Sequence, residues 1–408
     1  MTFNEEQDKF TRKPIIKVFG VGGCGNKTID RMIAYDVKGV EYYAVNTDVQ
    51  DLRMSHADVR IQIGGKLTGG LGAGTDPNVG YNAALESEAG LREAIEGADM
   101  VYVMAGMGGG TGTGAAPVLA RIAKELGILT VGVCTKPFEH EGKSCMDNAI
   151  KGLTEMRRYV DTLVIIPNQK LIDISDVHTT FLDAMREADD VLRQAVQGIS
   201  EIINLPQTEN IDFADVKKVM TDKGTALMGI GVSKGPNRAV EAARAAATSR
   251  LLEVTLEGAT DCIVNISCSE NLGMLEVRSA INEIRNHCDK NLNVIQGVTM
   301  SRELGDELVV TLVATGYALK AKELGIQDLE GEIIRNTGND PIDIKNLVPT
   351  VESIIPSEDE KDEDIDSSVE KKRGFHLFGH KKDKEEKSKK DETQEKTSSK
   401  FSIPEDWD

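Results

Sequence analysis

The sequence predicts an α/β protein: a doubly wound, mostly parallel-sheet domain joined by a long central helix to a smaller α/β domain, then a disordered C-terminal tail. Three observations carry that prediction. Near-continuous apolar runs alternate with helical patterns through the first two-thirds of the chain, as they do where a parallel sheet is covered on both faces. A long amphipathic stretch then separates two textures of strand and helix. After residue 356 the chain turns densely charged.

In chain order, PIIKVFG (14–20), VEYYAVN (40–46), DMVYVMAG (99–106), ILTVGVCT (128–135) and TLVIIPN (162–168) are expected as buried strands. Helices are expected between them over Asn26–Ala34, Thr113–Leu126 and Cys145–Arg158. From Phe181 to Asn204, the residues Leu182, Met185, Ala188, Leu192, Val196 and Ile199 recur at three- or four-residue spacing, the period of one long helix. Four more strands follow, ALMGIGVS (226–233), DCIVNISC (261–268), NVIQGVTM (293–300) and ELVVTLVATG (307–316), with helices at Arg238–Leu252 and Leu275–Cys288. The expected organisation is a flexible segment 1–13, a first domain 14–180, a connecting helix 181–204 and a second α/β domain 205–318. A transition and charged linker, 319–400, and a terminal peptide, 401–408, complete it.

Composition narrows the function. The 408 residues carry a formal charge of −19, which repels phosphate backbones and argues against nucleic-acid binding. No apolar run approaches the roughly 18 residues of a membrane span, and the N-terminal MTFNEEQDKFTRKP has no apolar signal-peptide region. A cytoplasmic protein without membrane insertion is expected. The six cysteines form no CxxC pair and no His–Cys ligand spacing, so they are expected as reduced thiols rather than metal ligands.

The tail from Ser357 to Lys400 holds 14 acidic and 12 basic residues, too much charge to offset its ordering entropy by burial. Within it, KKRGFHLFGHKK (371–382) interleaves basic and aromatic groups, and a solvated linker segment is the simpler reading. Apolar character returns at Phe401, Ile403, Pro404 and Trp407, the only tryptophan, as in a tethered binding peptide.

Two glycine loops carry the chemistry. GVGGCGN (Gly20–Asn26) follows an apolar strand and opens a helix, and Gly20, Gly22 and Gly25 satisfy G-x-G-x-x-G. Missing side chains let backbone N–H groups approach a phosphate, and the helix start favours negative charge. Asp48, near the end of the next strand, stands where a dinucleotide fold places its ribose-binding carboxylate. Alone, this pattern supports a nicotinamide-dependent oxidoreductase. Asn26 occupies the position where a Walker loop needs lysine, which disfavours a P-loop fold. AGMGGGTGTGAAP (105–117) repeats the strand–loop–helix arrangement with six glycines between Gly106 and Gly114. Two such loops suit a polyphosphate, with Thr111 and Thr113 adding hydroxyl donors.

GGGTGTG (Gly108–Gly114) resembles the signature of the tubulin/FtsZ GTPase family. The resemblance extends through AVNTD (44–48), KLTGGLGAGTDPNVG (66–80), TKPFEHEGK (135–143), IPNQKL (166–171), READDVLRQAVQGIS (186–200), NIDFADVKKVM (210–220) and GTALMGIGVSKGPNRA (224–239), covering residues 14–316. It implies a GTPase that polymerises head to tail into protofilaments and forms the bacterial division ring at midcell. It further implies that Gly22, Gly23, Cys24, Gly25, Asn26 and Lys27, with Gly108, Gly109, Gly110, Thr111 and Gly112, surround the phosphates of GTP or GDP. Asn46 and Asp48 would lie near the nucleotide, Glu141 near the ribose with Cys145 close by, and Asn168 and Asp189 on the guanine. Mg2+ is expected on general phosphoryl-transfer grounds.

By the same resemblance, Asp212 and Asp215 are the catalytic acids, approaching the nucleotide of the next subunit. Their spacing alone equally supports a helix cap at Asp212 with Asp215 in the first turn. Partners implied are further copies of the chain and, through Phe401–Asp408, a membrane-tethering division adaptor of the FtsA or SepF kind. The chain departs from the family pattern at four places. Cys145 replaces a common arginine, Met185 a common phenylalanine and Gln169 a common acid, and the terminal peptide ends acidic. The first two departures leave a poorly hydrolysing paralogue as an alternative, against which the retained Asp212 and Asp215 argue.

Overall fold

The computed structural model describes residues 13–170, 181–204, 212–249, 256, 258–269, 271–288, 292–301 and 304–316. These lie in one compact unit, residues 1–339; a second unit, 340–408, falls wholly outside the described residues. So do the expected N-terminal segment up to residue 12, the charged linker and the terminal peptide.

The first five apolar runs form strands β1 (Ile16–Val21), β2 (Glu41–Asn46), β4 (Met100–Gly106), β5 (Leu129–Lys136) and β6 (Thr162–Pro167). A short strand that the sequence reading missed, β3 (Val59–Gln62), forms the outer edge. It is mostly exposed, so it lacks the apolar run that marks a buried strand. The second texture supplies β7 (Gly224–Lys234), β8 (Asp261–Cys268), β9 (Asn293–Met300) and β10 (Glu307–Thr315). All ten strands join one sheet in the order β3-β2-β1-β4-β5-β6-β7-β10-β8-β9. Strands β1 to β7 pair in parallel, β10 runs antiparallel to both its neighbours, and β9 is parallel to β8. The two halves meet through three residue pairs, Thr162 with Gly224, Leu163 with Thr225 and Val164 with Ala226.

Helices cover both faces of the first half. They are α1 (Gly22–Ala34), α2 (Val49–Met54), α3 (Gly65–Thr68), α4 (Pro77–Glu86), α5 (Glu88–Ile95), α6 (Thr111–Glu125) and α7 (Lys143–Tyr159). Alternate side chains along a strand point to opposite faces, and the cores divide accordingly. Ile16, Val18, Tyr102 and Val131 pack with Ile29 and Met32 of α1. Phe19, Val21, Val101 and Val103 pack on the other face with α4, α5, α6 and α7. The predicted starts of α1 and α6 fall late, because both helices begin inside their glycine loops.

The long helix α8 has the predicted bounds, Phe181–Asn204, and at 1.5 Å per residue extends about 36 Å. It runs alongside α1 in the same direction. Arg31 donates to the Arg186 carbonyl, and the Arg193 guanidinium lies 4.5 Å from the centre of the Tyr35 ring. Gly198 then brings α8 against β10, where a Cβ would fall 3.0 Å from Thr311 Cγ2. Its exit is followed by α9 (Phe213–Met220), then α10 (Arg238–Ala247) and α11 (Met274–Asn286). Helices α10 and α11 pack with β8 and β10 around a third core that includes Ala242, Ala246, Val264, Ile284 and Leu312.

One buried arginine ties that second half together. Arg238, 4% exposed, donates from Nε to Glu276 Oε1 (2.8 Å) and from Nη2 to Glu276 Oε2 (3.1 Å). The same guanidinium reaches both the Asp306 carbonyl and carboxylate at 3.2 Å and Asn271 Oδ1 at 3.1 Å. It therefore links the starts of α10 and α11 to two loops, and the hydrogen bond from Arg238 holds the Glu276 carboxyl below its ordinary range. Arg238→Ala strands Glu276 without its cation, and a loss of about 3 kcal/mol in unfolding free energy is expected from urea denaturation.

Candidate functional site

The sheet order places a topological switch point between β1 and β4. These strands are neighbours, yet α1 leaves β1 onto one face and α6 leaves β4 onto the other. Open parallel sheets bind ligands in the crevice opened by such a divergence, outside the carboxyl ends of the strands. Both glycine loops lie there.

The loops meet backbone to backbone. Gly22 has φ +75°, and a Cβ on it would fall 2.9 Å from the Gly112 amide nitrogen. A Cβ on Gly106 would fall 2.7 Å from Cys24 Cβ, and one on Gly108 would lie 2.5 Å from Cys145 Sγ. The first turns of α1 and α6 thus open into one crevice, with amide groups that have no intrahelical acceptor. Thr113 Oγ1 accepts from the Gly108 amide at 2.8 Å, fixing the second loop against its own helix.

Polar side chains brace this backbone. With its amide oriented to pair donors with acceptors, Asn26 donates to the carbonyls of Gly20 (2.8 Å) and Gly22 (3.3 Å). Its oxygen accepts from Asn46 Nδ2 at 3.2 Å. Thr47 and Thr111 share a buried hydroxyl–hydroxyl bond of 2.7 Å, connecting the segment after β2 to the second glycine loop. Asp48 caps α2, its Oδ1 accepting from the Gln50 amide at 2.8 Å. The carboxylate that sequence spacing assigned to a ribose is therefore engaged in a local cap.

A third glycine-rich segment completes the crevice. Residues 69–76 fold over Gly110, whose Cβ would fall 2.7 Å from Ala73 Cβ and 3.0 Å from the Asp76 amide nitrogen. Gly70 accepts from the Val49 amide at 3.2 Å, and Thr75 adopts φ +63°, a strained conformation for a β-branched residue. KLTGGLGAGTDPNVG was legible as glycine-rich, but nothing in its spacing indicated which loop it would cover.

The remaining candidates flank the crevice. Glu141 Oε1 accepts from the Phe138 amide at 2.8 Å, and its Oε2 lies 3.6 Å from Cys145 Sγ. Burial, reinforced by Glu141, pushes the Cys145 thiol above its ordinary range. Asn168 follows β6 directly and is 8% exposed, and its Oδ1 has no hydrogen-bond partner among the described residues. A buried acceptor left open among the described residues is able to take a donor from a ligand, a water or residues beyond them. Gln169 accepts from the Glu139 amide at 3.2 Å. Lys27 is exposed on α1. Asp189 and Met185 belong to α8, but their side chains lie outside the described residues.

Asp212 and Asp215 do not join this cluster through any recorded contact among the described residues. Asp212 is the N-cap of α9, its Oδ1 accepting from the Ala214 amide at 3.1 Å, and Asp215 stands in the first turn; both are exposed. The far end of α9 is tied to the opposite ends of the strands. Thr162 Oγ1, at the start of β6, donates to the Met220 carbonyl at 2.5 Å. Thr315 Oγ1, at the end of antiparallel β10, donates to the Val219 carbonyl at 3.0 Å. The glycine loops and the acid-bearing helix are thus anchored at opposite ends of the parallel strands.

The interlock makes a contrast that thermal unfolding can check. Gly22→Ala imposes a left-handed conformation on alanine and pushes its methyl group onto Gly112, a loss of roughly 2–3 kcal/mol. Gly109→Ala meets nothing within 4 Å and has no positive φ, so a change within about 0.5 kcal/mol is expected.

Comparison with known proteins agrees with this geometry. Residues 15–176 match the Tubulin/FtsZ family, GTPase domain, and residues 224–318 match the FtsZ family, C-terminal domain. The FtsZ of M. jannaschii, solved as an empty dimer, is 42% identical, with 77% of this chain and 93% of that chain covered and a TM-score of 0.72. A mutant of the same protein matches at 43% identity, 76% and 93% coverage and a TM-score of 0.73. CetZ1 from Haloferax volcanii, a GDP-bound monomer, shares the fold at 22% identity, with 78% of this chain and 99% of that chain covered and a TM-score of 0.66. CetZ2 from the same organism, a GTPγS-bound protofilament, does so at 19% identity, 79% and 99% coverage and a TM-score of 0.64. A doubly wound sheet with interlocked glycine loops at its switch point, matched at this identity over nearly the whole of a solved relative, makes this chain a member of the FtsZ family within the tubulin/FtsZ GTPases.

Proposed function

We propose that this chain binds GTP in the crevice between its glycine loops, assembles head to tail, and hydrolyses GTP where one subunit meets the next. The polymer would form the division ring at midcell. One observation carries the reading: the glycine loops open at the carboxyl ends of the parallel strands, while the helix capped by Asp212 is anchored at their amino ends. Stacking subunits in one direction brings the acidic end of each onto the open crevice of its neighbour. The protofilament of the structurally similar CetZ2 is a precedent for such assembly.

In this reading the amides of Gly22–Asn26 and Gly108–Gly112 hold the phosphates, with Cys24, Lys27 and Thr111 at their margins. Asn46 and Asp48 support that wall, and Glu141 and Cys145 border the ribose. Asn168 offers its open carbonyl oxygen to the base, and Asp189 accepts from the guanine edge, a pairing that adenine cannot make. Hydrolysis needs a water oriented against the γ-phosphate, and the neighbour's Asp212 and Asp215 are the acceptors for that water. Capping does not compete with this role, because a cap uses one carboxylate oxygen and leaves the other free.

A hard divalent cation fits the crevice. Mg2+ keeps several waters and binds through phosphates and one or two oxygen ligands rather than a closed protein cage. Oxygen ligands near the glycine loops would be the Thr111 hydroxyl and the carboxylates of Asp48 and Asp51. When bound, the ion would offset phosphate charge.

Two experiments test the proposal. Asp212→Ala is expected to bind GTP normally and to lose at least about tenfold in phosphate release, so that filaments followed by light scattering persist. The lost cap lowers stability by only about 1 kcal/mol. Near-normal turnover per folded molecule would leave Asp212 with its capping role alone. Mixing in a minor fraction of Asp212→Ala subunits should depress turnover at each interface where they supply the acid. Separately, removal of residues 357–408 should leave GTP-driven assembly intact while abolishing ring localisation, because the terminal peptide would dock an adaptor of the FtsA or SepF kind. Normal localisation of the truncated chain would overturn that assignment.

A further inference from the structure

The first glycine loop has a carboxylate pressed against it. A Cβ on Gly23 would lie 3.0 Å from Asp51 Oδ2, and Gly23 is one of the residues assigned to the phosphates. Asp51 belongs to the first turn of α2, and the same Oδ2 accepts from Asn46 Nδ2 at 3.3 Å. Asn46 in turn donates to the oxygen of Asn26, which grips the Gly20 and Gly22 carbonyls. The exposed carboxylate is thereby linked to the loop through the Asn46 and Asn26 side chains. Asp51 takes no ion pair among the described residues, and its Oδ1 takes no hydrogen bond there. Cys145, which replaces a cation common in the family, adds no compensating charge beside Gly108.

A negative group against a phosphate cradle repels the ligand that the amides attract. Helix starts and open N–H groups favour the anion, but a carboxylate within a few ångströms opposes them, with a strength that solvent and salt moderate because Asp51 is exposed. Such an arrangement is stable for binding only when a cation accompanies the ligand.

We infer that Asp51 makes nucleotide binding conditional on a divalent cation, so that the crevice selects the metal complex of a nucleoside polyphosphate over the free anion. The inference rests on the proposed GTP reading of the same crevice. Asp51 acts on the ligand's charge and takes no part in the hydrolytic step. Its oxygen chemistry matches a hard, partly hydrated ion such as Mg2+, reached directly or through a water. GTP carries more charge than GDP, so the conditionality is stronger for GTP.

The test measures GTP and GDP dissociation constants by titration calorimetry on the full chain, in EDTA and in saturating Mg2+, for the unaltered protein and for Asp51→Asn. Asparagine keeps the shape, and its amide can be turned so that its oxygen still accepts from Asn46. The expected result is a gain of about three- to tenfold in GTP affinity in EDTA, with a correspondingly smaller Mg2+ enhancement and a smaller effect on GDP. Raising the salt concentration in EDTA should narrow the gap between the two proteins. An unchanged Mg2+ enhancement in Asp51→Asn overturns the inference. So does loss of GTP binding in that variant with a normal melting temperature, which would make Asp51 a bracing residue only. Failure of the unaltered protein to bind GTP in either condition would instead sink the GTP reading itself.

Discussion

The backbone contact between Gly22 and Gly112 is the constraint on which the rest of this structure depends. Two helices on opposite faces of a sheet can open into one crevice only if the loops that feed them pass within van der Waals distance. A Cβ at Gly20, Gly22, Gly25 or Gly112 would fall 2.4–2.9 Å from backbone of the same two loops or of β4. The glycines are therefore required twice, by packing and by the need for exposed amides. Each adds conformational entropy to the unfolded chain, a cost carried by the cores on both faces of the sheet. Phe19, Met104 and Leu119, on the elements that flank the loops, are among the fully buried side chains of those cores.

The sheet and helix α8 convert this local contact into a polar molecule. Parallel strands give the sheet two unlike edges: one presents helix starts, the other helix ends and returning loops. Helix α8 begins alongside α1 and carries the chain away from the crevice for about 36 Å, and the segment that follows leads into α9. A helix of that length matches the span of a small domain, and the last turn of α9 is tied to the amino end of β6. A head-to-tail assembly built from such a subunit would have a direction, and under the proposed function its site would be complete only when subunits stack.

Much of this was legible in the sequence, for identifiable reasons. Strands buried on both faces are apolar at most positions, so β1, β2, β4, β5 and β6 stood out as nearly continuous runs. Helix α8 stood out because its apolar residues repeat at helical spacing from Leu182 to Ile199. What escaped had weaker physical signatures. β3 is an edge strand with three exposed residues of four, and α2, α3 and α5 are too short for periodicity to speak. The start of α4 was written plainly, with Asp76 as cap and Pro77 in the first turn, but the surrounding glycines obscured it. The glycine loops were readable as an anion site because composition and position coincide there. The cap made by Asp48 was not legible from spacing, since a count of residues does not show that its Oδ1 also satisfies the next helix. Asp51 carried no signal at all, because its significance lies in a contact with Gly23, 28 positions earlier in the chain.

The electrostatics follow from the same division of labour. Residues 1–356 are acidic, by 14 charges in the composition, and the phosphate crevice has few side-chain cations of its own. An acidic protein can still hold a polyanion if the attraction comes from oriented peptide dipoles, which do not alter net charge and cannot be neutralised by titration. Glycine loops are the form that this attraction takes here. Dipoles act only within the first turn of a helix, whereas the surrounding acidic field reaches out by about a Debye length of 8 Å at physiological salt. The balance at the crevice is therefore narrow, and it shifts with any charge that arrives together with the ligand. Under the proposed function, a cation at the phosphates and an acid from the next subunit would be opposite perturbations of that balance. The first would favour retention of the nucleotide, and the second would suit the orientation of water and the departure of product. A site held mainly by backbone can respond to both without any side chain of its own changing protonation state.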